Sequence, residues 1–201
     1  MKRILLLSVL AVIQFLPVTA QFLGDGSMGN PYRGTLAGAF TISGTKYFTG
    51  TIIIDNEQLT IAPGTILIAA TGTSGILVNG TGQLNAQGTS SSRILITSNS
   101  DLDGTYGEPT DTWGNITLIS SGVSNISYCT IENGRRLATR IGYYGGGLYL
   151  GTSSVTVTST TIRNCIAGYG GAIIVAGTTS PVISGCIITG NSAIEQGGAI
   201  Y

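Results

Sequence analysis

The 201-residue sequence contains no histidine. That alone removes Ser-His-Asp and Cys-His nucleophile chemistry and any histidine-ligated zinc site. Charge is nearly as scarce, at 9% of residues. The nine basic and nine acidic side chains balance, so no basic footprint for nucleic acid exists. Aromatic residues are few (four Phe, nine Tyr, one Trp), and Cys129, Cys165 and Cys186 are the only cysteines. The chain instead holds 31 Gly, 27 Thr and 26 Ile. β-Branched residues punctuated by glycine predict short strands and tight turns, with helix confined to the N-terminal signal and a short cap.

The start reads as an export signal. Met1-Lys2-Arg3 is basic, Ile4 to Val18 is almost wholly apolar, and Val18-Thr19-Ala20 sets small residues before Gln21. Residues 1–20 are therefore expected to be removed, leaving 7 basic against 9 acidic residues. No other stretch is long and apolar enough for a membrane span in the mature chain. A secreted or cell-surface location in a bacterium follows as an expectation. The matches to the glycosylation sequon at Asn79, Asn115 and Asn125 carry little weight in so threonine-rich a chain.

Internal repeats decide the fold. Gly170-Gly171-Ala172-Ile173 recurs as Gly197-Gly198-Ala199-Ile200, with a looser copy at Gly146-Gly147-Leu148-Tyr149. Cys129-Thr130-Ile131-Glu132-Asn133 is echoed by Thr160-Thr161-Ile162-Arg163-Asn164. It is echoed again, with one extra residue, by Cys186 to Asn191. A repeat of roughly 25 residues lacking helical periodicity suits one coil of a parallel β-helix. The expected architecture is all-β, a right-handed parallel β-helix (solenoid) of about six coils over 51–201, preceded by a cap segment, 21–50, rich in aromatics. Ile131, Ile162 and Ile188 are expected to form an interior column. Asn133, Asn164 and Asn191 are expected to stack in a turn through amide-to-amide bonds, and paired glycines to mark a second turn. The last residues stop within a strand. The expectation is an N-terminal fragment of a longer solenoid, with self-association through the open C-terminal coil as the alternative.

Leu59 to Thr65, Ile76 to Gly80, Gly82 to Thr89, Ile94 to Ser98 and Trp113 to Ile116 follow one another in an order that resembles secreted bacterial parallel β-helix proteins of the pectin-lyase-like superfamily. The Gly-Gly-Ala-Ile pieces are also similar to polymorphic outer-membrane protein repeats, with Ile where Phe is usual. The resemblance covers residues 50–201. It implies the fold and export, and a polysaccharide or cell-surface glycan as partner. It does not imply one activity, because the fold carries lyases, hydrolases, adhesins and plain stalks. The Gly-His-Gly motif of polygalacturonases is absent, as is any Asp-Asp pair. Arg135, Arg136, Arg140 and Arg163 are the only late basic cluster, read as a solvated loop.

Two stretches, 98–112 and 134–145, exceed what a coil turn needs and concentrate charge. Asn99, Asp101 and Asp103, followed by Gly104, match the front half of a calcium loop; Glu108 and Asp111 flank the position where a bidentate Glu is expected. Calcium is the one cofactor this pattern points to. Trp113, Tyr106, Tyr143 and Tyr144 are the aromatic candidates for stacking on sugar rings. The expected role is a structural or adhesive surface module that binds glycan. The rival is a polysaccharide lyase or glycoside hydrolase with catalytic residues partly beyond residue 201.

Overall fold

The computed structural model describes residues 21–100, 103, 105, 107–108, 110–136, 144–152 and 154–201. The expected signal peptide, Asp101, Tyr106, Arg140 and Tyr143 lie outside these residues. Every described element is a strand, and the laddered strand pairs are all parallel. The chain is a parallel β-helix.

A short strand β1 (Tyr32–Thr35) lies on the first coil. Coil 1 is β2 (Phe40–Ile42) and the long β3 (Thr45–Asp55). Coil 2 is β4 (Gln58–Ile61), β5 (Ile66–Ala69) and β6 (Gly75–Asn79). Coil 3 is β7 (Gln83–Gln87), β8 (Ile94–Ser98) and β9 (Ile116–Leu118). Coil 4 is β10 (Ser124–Ser127), β11 (Cys129–Glu132), β12 (Arg135–Arg136) and β13 (Leu148–Leu150). Coil 5 is β14 (Val155–Thr158), β15 (Thr161–Arg163), β16 (Ile166–Tyr169) and β17 (Ile173–Val175). Coil 6 is β18 (Val182–Ser184), β19 (Ile187–Thr189) and β20 (Ser192–Gln196), closed by a bridge from Ile200 to Ile173.

Three faces result. Face A stacks β2, β4, β7, β10, β14 and β18. Face B stacks the first half of β3 with β5, β8, β11, β15 and β19; face C stacks its second half with β6, β9, β13 and β17. The long β3 turns the corner at Gly50, where φ is 59°. Strands β12, β16 and β20 form a separate, narrow sheet between faces B and C.

Strand alternation sends every second side chain inward, and the in-register stacking turns these into columns. Face A carries Ile42, Ile61, Ala86, Ile126 and Val157. Face B carries Leu67, Ile96, Ile131, Ile162 and Ile188, which includes the expected column and extends it. Face C carries Ile52, Ile76, Ile116, Leu148 and Ile173. All but Ile188 are essentially without solvent exposure.

The cap and the turns differ in detail from expectation. Phe40 already pairs with Leu59, so the first coil begins inside the segment expected as a cap. Phe22, Tyr32 and Phe40 pack ring against ring at 5.0–5.4 Å over its end. Asn133 and Asn164 do take left-handed backbone, at φ 61° and 56°, but Gly190 occupies the third position and Asn191 follows it. No amide ladder links the three. Asn133 donates to the Glu108 carbonyl, and Asn191 bonds the Cys165 N–H and the Ile162 carbonyl. The glycine turn stacks as Gly145, Gly170 and Gly197, all with positive φ, because Leu148 pairs with Ile173. The first copy therefore starts one residue earlier than the sequence pattern suggests. A side chain on Gly146 or Gly171 would collide with the backbone of the next coil.

Cys129, Thr160 and Cys186 fall in one column, since Thr161 pairs with both Thr130 and Ile187. All three cysteines are free thiols. Burial pushes the Cys129 and Cys165 thiols up to about 12. A thiol whose folded pKa is raised stays protonated and unreactive at pH 8. A thiol reagent is therefore expected to spare Cys129 and Cys165 until the protein is denatured; fast labelling of either in the native state would contradict the packing. Ile162→Ala is expected to cost about 2–5 kcal/mol in urea unfolding, and outward-facing Thr130→Ala well under 1 kcal/mol.

Candidate functional site

Both long insertions leave the solenoid between faces B and C. Coil 2 crosses that corner with residues 70–74; coil 3 uses 99–115. In coil 4, Arg136 pairs with Ala167 and Tyr144 with Tyr169. Coil 5 bridges the same two positions with Gly168 alone, whereas coil 4 inserts 137–143.

The stem of the second insertion walls a groove of about 550 Å³ on the outer surface of face C. Its floor is the outward column Leu77, Thr117 and Tyr149, one residue from coils 2, 3 and 4. Arg136 and Tyr144 stand at one wall, and Ile119, half exposed, at another. Asn115 fixes the wall: its buried amide donates to the carbonyls of Tyr144 (3.3 Å) and Gly145 (2.7 Å), and accepts from Thr117. Burial lowers the Arg136 pKa, and its Nε is buried with no hydrogen-bond partner. Among the described residues no carboxylate pairs with it; the one ion pair there is Arg163–Glu132. The groove thus offers an apolar and aromatic surface, a few hydroxyls and one unmatched guanidinium. Among the described residues no carboxylate lines it.

The expected sugar-stacking residues divide. Tyr144 reaches the groove, and its ring lies 5.6 Å from Tyr169, which continues to Tyr201 at 5.2 Å. Trp113 does not. It is fully buried, packs edge-on against Phe48 at 6.0 Å, and donates its indole N–H to the Glu132 carbonyl at 2.7 Å. Its backbone joins the end of the first insertion to Asn133 and Arg135. A ring enclosed this way positions chain and cannot stack on a sugar. Sequence reading passed over Tyr149 and singled out Arg136 only as solvated loop. The alternation of Leu148-Tyr149-Leu150 was the available signal, since it marks Tyr149 as outward-facing.

Of the five residues expected to ligate calcium, Asp101 lies outside the described residues, and the other four divide. Asn99 and Asp111 are buried, whereas Asp103 is exposed and accepts the Thr105 N–H at 2.7 Å. Glu108 contributes backbone: its N–H donates to Asp111 Oδ2 and its carbonyl accepts from Asn133. No group of three acidic or thiol side chains suited to a metal occurs among the described residues. The first insertion is instead anchored on face B. Glu132, nearly buried, accepts from Thr97 Oγ1 at 2.9 Å and from Arg163 Nε at 2.7 Å, and Gly107 rests against it.

Neither family models, nor curated proteins, nor solved structures contain a match to this chain. Its function must therefore be argued from the groove itself. Glu132→Gln removes the charge that Arg163 meets while keeping the shape. It is expected to cost about 1 kcal/mol, because Arg163 is half exposed, and to expose 99–112 to limited proteolysis. Unchanged cleavage would show that the insertion is held by its backbone bonds alone.

Proposed function

We propose that the chain is an exported, bacterial surface or matrix module that holds an acidic polysaccharide in the face C groove, in an adhesive rather than catalytic role. The observation that carries this reading is the pairing of a solvent-facing floor that carries Tyr149 with the half-buried Arg136, whose Nε has no hydrogen-bond partner and which meets no carboxylate among the described residues. Pyranose rings present apolar faces that pack on tyrosine, and a carboxylate or sulfate on the polymer supplies the charge that Arg136 lacks. The floor takes one residue from each of three successive coils, so a chain-like ligand lying along the solenoid axis meets all of them. The resemblance to secreted β-helix proteins and the N-terminal export pattern support the same setting.

Retention of the protein on an immobilised acidic polysaccharide tests the reading. Tyr149→Ala is expected to weaken retention roughly tenfold, about 1.4 kcal/mol. Arg136→Met is expected to weaken it at least as much and to flatten its salt dependence. Retention that ignores both substitutions would refute the groove. Release of shortened or unsaturated products from the polymer would make the site that of a lyase or hydrolase instead.

A further inference from the structure

The first insertion encloses a second polar site, separate from the groove. Asn99 is fully buried, and neither its Oδ1 nor its Nδ2 has a hydrogen-bond partner. Its backbone N–H still donates to the Ala69 carbonyl, as Leu95 does to Thr65, so the strand pattern of β8 runs on through it. Alternation then places the Asn99 side chain on the same side as Thr97, the side on which the insertion sits against Glu132. Asp111 lies there too, 1% exposed, with Oδ1 accepting the Ser100 N–H at 2.7 Å and Oδ2 the Glu108 N–H at 3.3 Å. Among the described residues no cation pairs with it, since Arg163 is spent on Glu132.

A buried carboxylate without a counter-charge is costly, and so is a buried amide with both ends idle. One occupant answers both. Each carboxylate oxygen of Asp111 accepts a single N–H and keeps lone-pair capacity, and the Asn99 Oδ1 is free. We propose that this site takes a hard divalent cation, calcium in particular, held by Asp111 and Asn99 and completed by backbone oxygens or water. All-oxygen donors of this kind favour hard cations such as calcium over the softer zinc and copper. This differs from the shell read off the sequence, since Asp103 and the Glu108 side chain play no part. Cation binding would lock the insertion to face B without touching the groove.

Terbium, a luminescent stand-in for calcium, tests the proposal in the full chain. The single Trp113 sits two residues from Asp111 and serves as the sensitiser. Excitation of Trp113 is expected to evoke terbium emission that millimolar calcium displaces, and calcium is expected to raise the melting temperature by a few degrees. Asp111→Asn should abolish both responses, Asp103→Asn should leave both, and Asn99→Asp should tighten calcium about tenfold by adding a charged ligand. If Asp111→Asn fails to fold, Asn99→Asp and Asn99→Leu decide, the second losing the response. Absence of emission and of any thermal shift in the wild-type chain would overturn the proposal and leave buried water as the occupant. Emission that survives Asp111→Asn, or is lost in Asp103→Asn, would overturn it equally.

Discussion

The parallel hydrogen bonding of each coil onto the one before it is the constraint from which the rest follows. It holds equivalent residues in register, and register is what converts an irregular sequence into continuous interior columns of Ile, Leu and Val. A slip of one residue would turn each column outward. It would also set a side chain against the glycine corner at 145–146, 170–171 and 197–198, where backbone meets backbone. The fold therefore constrains the inward strand positions and the glycine corner most tightly, and the other turns least.

Such a scaffold separates stability from function. The columns need only apolar bulk, so outward positions and the corners away from the glycine turn are free to change. Both insertions leave from the corner between faces B and C. Each is tied down by a polar group that the stack supplies: Asn133 for the first, with Gly107 resting on Glu132, and Asn115 for the second. Trp113 spends its indole and its backbone on the same task, between the two. The groove is thus built on rigid strands and walled by an anchored stem, the arrangement that keeps a binding surface in shape without ligand.

The architecture was legible because repetition is its cause. The recurrence around Ile131, Ile162 and Ile188 reports the stacking directly, whereas nothing in the repeat marks where the first coil begins, at Phe40. The turn chemistry was half legible. Asparagine and glycine serve equally at a left-handed residue, so Gly190 could stand where an asparagine was expected. The site was harder to read. Trp113 is a candidate for sugar stacking by residue type, yet its ring is buried edge-on against Phe48. Arg136 looked like a solvated loop residue, and only the fold shows that the insertion begins just after it. Asn99 and Asp111 are far apart in a loop pattern. Only closure of the loop onto face B buries them both.

The central claim is that residues distant in sequence form one ligand surface on face C. Hydrogen exchange read by mass spectrometry, with and without an acidic oligosaccharide, tests it most directly. The account predicts simultaneous slowing in peptides covering 73–77, 115–119, 136 and 144–149, with faces A and B unchanged. Slowing confined to 99–112, or spread evenly over all six coils, would contradict it.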